Sequence, residues 1–414
     1  MSEKIQAPRG TFDVLGDDAL ARDRLEQIAR GILEPAGYER IETPMFESTA
    51  LFARGVGEST DVVQKEMYTF DSGDESDSLT LRPEGTAPVC RAYLEHGMHK
   101  LPQPVKLWYL SAYFRRERPQ KGRFRQFWQL GVEAIGSDEP TVDAETILLL
   151  SEILEAIGAR GLRLRLSSLG TAASRAAYRE ELTAYLRAHE ERLSEEVRAR
   201  IDLNPLRAFD ADHPGTREVM AGAPLLLDFL SDDDHEHFEA VKALLDAAGV
   251  VYEVDPTLVR GLDYYTRTVF EFSSDALGAQ SGVGGGGRYD GLMEQLGGAP
   301  APGMGWAAGV ERMLLASPPP PVAPPPVDLY VAYAKPEYRE AAFRLAADAR
   351  RAGHAARLEL GGRSLKGQLK QADKTGARYV AILGDEGTSL KDMQTGEQKT
   401  VEPDTVMHHI RGGL

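Results

Sequence analysis

The 414-residue sequence holds one cysteine, Cys90. A single thiol cannot close a disulfide within the chain and excludes a zinc site built from several cysteines, so Cys90 reads as a buried spectator. No uninterrupted apolar stretch approaches the ~20 residues of a membrane-spanning helix, which excludes an integral membrane protein. The opening residues, MSEKIQAPRGTFDVLG, have neither the apolar core of a secretion signal nor the Arg-rich, acid-poor character of a transit peptide. A cytoplasmic protein is predicted. Positive charge is also short: 48 Lys and Arg against 64 Asp and Glu give 48 − 64 = −16. That balance argues against non-specific attraction to phosphate backbones or anionic membranes.

Forty-two per cent hydrophobic and 27% charged residues make a globular composition, and the length predicts several domains. The plainest boundary is the run ASPPPPVAPPPV, Ala316 to Val327, whose seven prolines favour extended polyproline II. We read 317–326 as a Pro-rich linker. Beyond it, 327–414 alternates strands (Val327–Ala334, Ala355–Leu360, Tyr379–Leu383) with helices (Glu337–Ala352, Ser364–Lys374). This predicts a small α/β domain with largely parallel pairing; Gly361-Gly362 is a weak phosphate-loop signal. Before the linker, Leu25, Ile28, Ala29, Ile32 and Leu33 recur at helical spacing, as do Ile147, Leu150, Ile153, Leu154 and Ile157. A charged helical insertion is expected at 171–250, ending on a helix begun near His235 and stopped by Gly249, between core segments 1–170 and 251–316.

Chemistry concentrates between Val105 and Gly136. The segment Arg115–Arg125 carries six cations and one anion, a local balance of 6 − 1 = +5 in an acidic chain. The whole stretch reads as two strands joined by an Arg/Pro/Gly loop, and side chains alternate across a strand. Odd positions then share one face: Arg115, Glu117, Arg123, Arg125, Phe127, Gln129, Gly131 and Glu133. Even positions, including Phe124 and Trp128, fall on the core side. A guanidinium fork suits phosphate, Phe127 suits a base, and Gln129 and Glu133 suit a polar ligand. A solvated face laced with salt bridges is the alternative, but such a face gains little from Phe127.

Four further clusters stand out. LRPEGTAP, Leu81 to Pro88, sets Glu84 in a turn that either aims a carboxylate or merely lies on the surface. LVRGLDYYTRTVFEF, Leu258 to Phe272, joins Arg260, Tyr264 and Tyr265 to an alternating strand; Arg260 and Tyr265 have opposite parity, so a bend near Gly261 is required to bring both to one site. VGGGGRYDGL, Val283 to Leu292, admits close approach of a backbone or a ligand. It matches neither the phosphate loop ending in Gly-Lys-Ser/Thr nor a dinucleotide fingerprint. GMGWAAGVERMLL, Gly303 to Leu315, runs from a strand into a helix bearing Arg312.

Together these segments resemble the signatures of class II aminoacyl-tRNA synthetases, and specifically those of the histidyl-tRNA synthetase family. IETPMFE (Ile41 to Glu47) resembles the first class motif, FRRERPQKGRFRQF the second and GVER the third. LVRGLDYY and GGGRYDGL resemble the two histidine signatures, and GRSLKGQLKQADKTGA (Gly362 to Ala377) the anticodon-binding domain. The resemblance implies an α+β catalytic domain with a largely antiparallel sheet, a helical insertion and a C-terminal α/β domain. It implies a homodimer, with the first motif's proline at the interface. The reaction would be activation of L-histidine by ATP, with magnesium, releasing pyrophosphate, followed by transfer to the 3′ end of the histidine tRNA.

It also implies roles. Arg260 and Arg115 would be the catalytic cations; Glu84, Thr86, Arg115, Gln129, Glu133, Arg260, Tyr264 and Tyr265 would bind histidine. Arg115, Glu117, Arg123, Phe127 and Arg312 would bind ATP, and Arg116 and Gln120 would contact tRNA. No metal ligand is visible. Some positions depart from the family pattern: Ser111-Ala112 stands where Gly-Pro is expected, Trp128 where histidine is usual, and Gly305-Trp306 replaces Gly-Phe. The rival reading is a non-catalytic regulatory subunit of ATP phosphoribosyltransferase on the same catalytic fold. It predicts eroded motifs and no anticodon domain, whereas Arg115, Arg260, Arg312 and residues 327–414 are all present. His96 with His99, and His235 with His237 behind Asp232–Asp234, offer too few placed ligands for a closed metal site and read as solvated or capping.

Overall fold

A computed structural model describes residues 4–57, 60–71, 78–278, 281–319 and 327–412; positions 320–326 of the expected linker lie outside the described residues. The chain divides into two compact units, residues 1–320 and 321–414.

The first unit is built on an eight-stranded sheet ordered Glu39–Arg40, Val105–Phe114, Gln126–Ile135, Gly303–Gly309, Gly282–Arg288, Thr266–Ser274, Leu162–Ser168, Glu253–Val254. The two edge strands pair parallel and the five interior pairings are antiparallel. Alternation splits the interior strands between two cores. Leu110, Leu130, Val132 and Phe270 join one cluster, while Tyr109, Tyr113, Ile135 and Val269 join the other. The glycine run of Gly282–Arg288 forms a central strand, because Cβ atoms on Gly284 to Gly287 would collide with the strands on either side.

Helices Asp17–Leu33, Pro140–Ala156 and Asp232–Ala247 cover the first face. Proline at the start of Pro140–Ala156 suits a position whose N–H needs no partner. Its Ile147, Leu150, Ile153 and Leu154 are fully buried, and each contributes roughly 1.5–3 kcal/mol of burial free energy. The predicted insertion holds helices Ala172–Ala188, Glu195–Arg200, Pro214–Met220 and Asp232–Ala247. The first three pack with Leu258, Tyr264 and Tyr265. The last turns its Phe238, Val241 and Leu245 onto the core side with Pro140–Ala156.

That last helix also corrects the reading of His237 as solvated or capping. His237 is buried, with Nε2 2.9 Å from Asp143 Oδ2. The fully buried Arg288 lies on the same carboxylate, Nε 3.0 Å from Oδ2 and Nη2 2.6 Å from Oδ1, and donates to the Ser137 and Glu139 carbonyls at 3.0 Å. His235, by contrast, is exposed beside Glu239. Among the described residues no group of His, Cys, Asp and Glu is arranged to hold a metal ion, and no helix is long and apolar enough to cross a membrane. Cys90 is buried and unbridged.

The second unit is a five-stranded sheet ordered Ala356–Leu358, Val327–Tyr333, Ala377–Gly384, Gly387–Asp392, Gln398–Val401. Helix Arg339–Arg351 packs Ala342, Leu345, Ala346 and Ala349 on one face, and Leu365–Lys374 packs Ala372 on the other. The expectation of largely parallel pairing holds for half the sheet. The last two pairings are antiparallel, formed by strands whose sequences, GTSLKD and QKTV, are too polar to announce themselves. The Gly361-Gly362 signal also has another cause: the Gly361 N–H donates to Glu359 at 2.6 Å, and Arg363 lies on the same carboxylate.

Asp143→Ala would strip the buried Arg288 guanidinium of its nearest anion, leaving only Asp290 at 3.4 Å. We expect a loss of about 3–5 kcal/mol in denaturant unfolding, whereas Asp275→Ala, which breaks an exposed pair with Arg163, should cost under about 1 kcal/mol.

Candidate functional site

Register puts the predicted face together. Across the Val105–Phe114 and Gln126–Ile135 ladder, Tyr113 opposes Phe127, Ser111 opposes Gln129 and Leu107 opposes Glu133. Regular pairing ends at Phe114 and Gln126, and with it the parity rule. The loop closes through Arg115 N–H to the Arg125 carbonyl (2.9 Å) and an isolated Gln120–Arg123 bridge. Two assignments change as a result. Phe124, expected in the core, lines the cleft with its ring 4.7 Å from that of Phe12. Arg125, expected on the site face, turns away to the Glu117 and Arg9 carbonyls.

The cleft, about 770 Å³ including its open mouth, is lined by Arg115, Glu117, Arg123, Phe127, Gln129, Arg260 and Arg312, drawn from segments up to 197 residues apart (312 − 115). Arg115 donates from Nε to the Pro83 carbonyl at 2.9 Å and lies 5.4 Å over the Phe127 ring. Glu117 stands between Arg115 (3.8 Å) and Arg123 (3.5 Å). Arg312, from helix Val310–Ala316, is fixed by the Gly122 and Gly282 carbonyls at 3.0 and 2.5 Å. Arg260 meets Glu271 at 2.9 Å and lies 5.8 Å from the Tyr265 ring. Burial, and then the like charge of Arg123, push the Arg312 guanidinium below its ordinary pKa. Such a concentration of cations favours an anion. Two buried polar atoms on the wall, Gln129 Oε1 and Arg260 Nε, have no hydrogen-bond partner among the described residues, which is where a polar ligand would be rewarded.

Glu84, Thr86, Glu133, Tyr264 and Tyr265 are not on that wall. They form a buried polar cluster beside it, joined to the cleft through Arg115 on Pro83 and Arg260 over Tyr265. Glu84 caps the start of helix Thr86–Glu95, accepting from the N–H groups of Thr86 and Ala87 at 2.9 Å. Tyr264 reaches its Oε2 at 3.4 Å. Glu133 accepts three hydroxyls: Thr86 at 2.8 Å and Tyr109 at 3.2 Å on Oε1, Tyr289 at 2.6 Å on Oε2. Burial pushes its carboxyl up to about 8; the three hydroxyls pull the other way and Glu84 adds to the rise. Burial raises Glu84 as well, against its two backbone N–H donors. Gly305 is required here, since a Cβ would collide with the Glu133 carboxylate.

The bend predicted at Gly261 is present: residues 255–265 belong to no strand, and both Arg260 and Tyr265 reach the site. Sequence reasoning missed four participants. Tyr109 shares the odd parity of the hairpin and Tyr289 sits inside GGGRYDGL, so both were within reach. Glu271 and Glu311 line the cleft; Glu311 holds Arg22 at 2.6 Å and caps the Trp128 N–H, a pairing across 289 residues that no local pattern announces. The tRNA candidates differ. Arg116 is exposed with its guanidinium on the Lys65 carbonyl at 3.1 Å, and Gln120 is exposed on the loop.

The raised Glu133 value predicts a pH dependence. Between the ordinary 4.5 and about 8 the folded state holds a proton that the unfolded state has released, so stability falls as pH rises through that interval. Melting curves of wild type and Glu133→Gln should therefore diverge, with only the wild type losing the increment; parallel curves would contradict the assignment.

A family model described as histidyl-tRNA synthetase matches residues 10–313, and one described as an anticodon binding domain matches residues 328–412. The histidine–tRNA ligase of Desulfitobacterium hafniense is 47% identical over 404 residues, covering 95% of each chain. That of Nocardia farcinica is 48% identical over 426 aligned positions, covering 100% of this chain and 99% of the relative. The apo crystal structure of the Staphylococcus aureus histidyl-tRNA synthetase superposes with a TM-score of 0.81 at 36% identity, covering 99% of this chain and all of that one. With both domains and nearly its full length matched, the chain belongs to the histidyl-tRNA synthetase family.

Proposed function

We propose that the protein is a cytoplasmic histidine–tRNA ligase that joins L-histidine to ATP as histidyl-adenylate, releases pyrophosphate and passes the histidyl group to the 3′ end of the histidine tRNA. The observation that carries this reading is the union of one cation-rich cleft, holding an aromatic ring and an unpartnered amide, with an adjacent buried cluster of two carboxylates and four tyrosines.

In this reading Phe127 stacks with adenine and Glu117 accepts from its amino group, while Arg123 and Arg312 take the outer phosphates. Arg115 and Arg260 flank the α-phosphate and the amino acid carboxylate. Attack of that carboxylate on the α-phosphorus forms the mixed anhydride and expels pyrophosphate. It needs alignment and neutralised charge rather than a covalent nucleophile. Glu84, Thr86 and Gln129 hold the ammonium, and Glu133 with Tyr264 and Tyr265 reads the imidazole. A site whose buried polar groups need partners rejects isosteres that lack the ring nitrogens.

Magnesium enters as part of the substrate. Each carboxylate of the cleft already faces a guanidinium: Glu117 those of Arg115 and Arg123, Glu271 that of Arg260, Glu311 that of Arg22. Among the described residues the cleft carboxylates therefore form no resident cage, and a magnesium ion carried on ATP phosphates is the usual alternative. Arg116 and Gln120 face the acceptor end of tRNA, and residues 328–412 face the anticodon. The homodimer is a proposal too, with Ile41–Glu47 at its interface; Met45 and Phe46 there are 52% and 51% exposed. Against the regulatory-subunit rival stand the C-terminal domain match and the intact arginines.

ATP–pyrophosphate exchange run with each of the twenty amino acids tests the assignment. Exchange should depend on histidine alone and fall by on the order of 10²-fold or more in Arg260→Ala. No exchange with any amino acid from folded protein would instead favour the regulatory reading.

A further inference from the structure

A carboxylate in a cavity that neutralises phosphate repels its own ligand, so Glu271 on the cleft wall requires a reason. Both of its oxygens are engaged. Oε2 lies 2.9 Å from Arg260 Nη1, and Oε1 lies 2.6 Å from Arg165 Nη2. Arg165 is the direct cross-strand partner of Glu271, on Leu162–Ser168 beside Thr266–Ser274, and it stays off the cleft wall. Its other nitrogen is held by Asp255 at 3.0 Å.

On the opposite flank the register partner of Glu271 is Gly285, where a Cβ would stand 3.0 Å from Arg260 Nη1. The missing side chain leaves room for the guanidinium to lie over the sheet. Arg260 itself needs such anchoring, because it comes from the irregular stretch between Val254 and Thr266, next to the Gly261 bend. A flexible side chain on an irregular segment loses orientation unless a rigid element fixes it. The strand pair supplies one: Arg165 and Glu271 form a charged row ending on Arg260, with Asp255 behind Arg165.

We propose that Glu271 is the positioning residue that orients Arg260 for the α-phosphate, braced from behind by Arg165. This rests on the reading of Arg260 as the cation at the reacting centre. Glu271 takes one N–H of the guanidinium, and the unpartnered Nε is left for substrate. The competing role, a magnesium ligand, would require its oxygens to leave two guanidinium groups.

The test uses the full-length protein and histidine-dependent ATP–pyrophosphate exchange, with kcat, both KM values and the half-saturating magnesium concentration measured for Glu271→Gln, Arg165→Met and Arg165→Lys. Misplacing a reacting group by about 1 Å costs on the order of 10²-fold, so Glu271→Gln should lose about that in kcat while both KM values stay within about 3-fold. Arg165→Met should lose kcat in the same direction but less, Arg165→Lys should recover most of it, and the magnesium requirement should not move. Wild-type kcat in Glu271→Gln, a loss confined to KM, or a raised magnesium requirement would overturn the proposal. Should Glu271→Gln fail to fold, the Arg165 pair decides on the same criteria. A wild type without histidine-dependent exchange would overturn the function itself; an active wild type with indifferent variants would remove only the positioning role.

Discussion

A buried carboxyl group hydrogen-bonded to three hydroxyls organises the site. Glu133 is fully buried on a central strand, and its partners come from three other elements: Thr86 at a helix start, Tyr109 on the neighbouring strand and Tyr289 after the glycine-rich strand. Each hydrogen bond offsets part of the cost of removing the carboxyl from water, and losing one would leave an acceptor stranded at roughly 1–3 kcal/mol. The demand propagates outward. Gly305 must lack a side chain to admit the carboxylate, and Arg288, adjacent to Tyr289, is fixed by Asp143 on the far side of the sheet. Sequence motifs that look independent along the chain are thus parts of one hydrogen-bonded unit.

The charge layout separates two tasks. The open cleft carries the cations, and the closed cluster carries hydroxyls and carboxyls; under the proposed assignment the first meets the phosphates and the second the histidine side chain. Net charge is −16, yet four guanidinium groups converge on the cleft. Long-range steering of a nucleic acid is therefore weak, and binding through local patches is expected to fall as salt rises. Rigid strands place Gln129, Glu133 and Glu271; the two irregular segments, 115–125 and 255–265, place Arg115, Arg123 and Arg260. Glu271 on its strand ties down Arg260, while Arg115 rests on the Pro83 carbonyl and Arg123 on Glu117 of its own segment.

How much of this was legible follows from where a local rule applies. Two-residue alternation placed Phe127, Gln129 and Glu133 on one face because the ladder is regular there, and it failed for Phe124 and Arg125 because pairing stops at Phe114 and Gln126. Opposite parity of Arg260 and Tyr265 sufficed to require the bend. The Gly249 stop marked a helix begun near His235, observed as Asp232–Ala247, but not its allegiance, since an apolar stripe does not name its partner; hence His237 was misread. Polar composition hid Gly387–Asp392 and Gln398–Val401. The roles of individual site residues came from family resemblance, and what resemblance omitted was the bracing: Tyr109, Tyr289 and Glu271 act through contacts at sequence separations of 24, 156 and 11.

In the proposed assignment the Glu133 carboxyl, which burial raises to about 8 in the free protein, gives up its proton on meeting the imidazole of histidine. Calorimetric titration of histidine at about pH 5.5, where a ring of ordinary pKa ~6.5 is already charged, reads this directly when repeated in buffers of different ionisation enthalpy. The account predicts release of close to one proton by the wild type and none by Glu133→Gln. Binding by the wild type without proton release would contradict it.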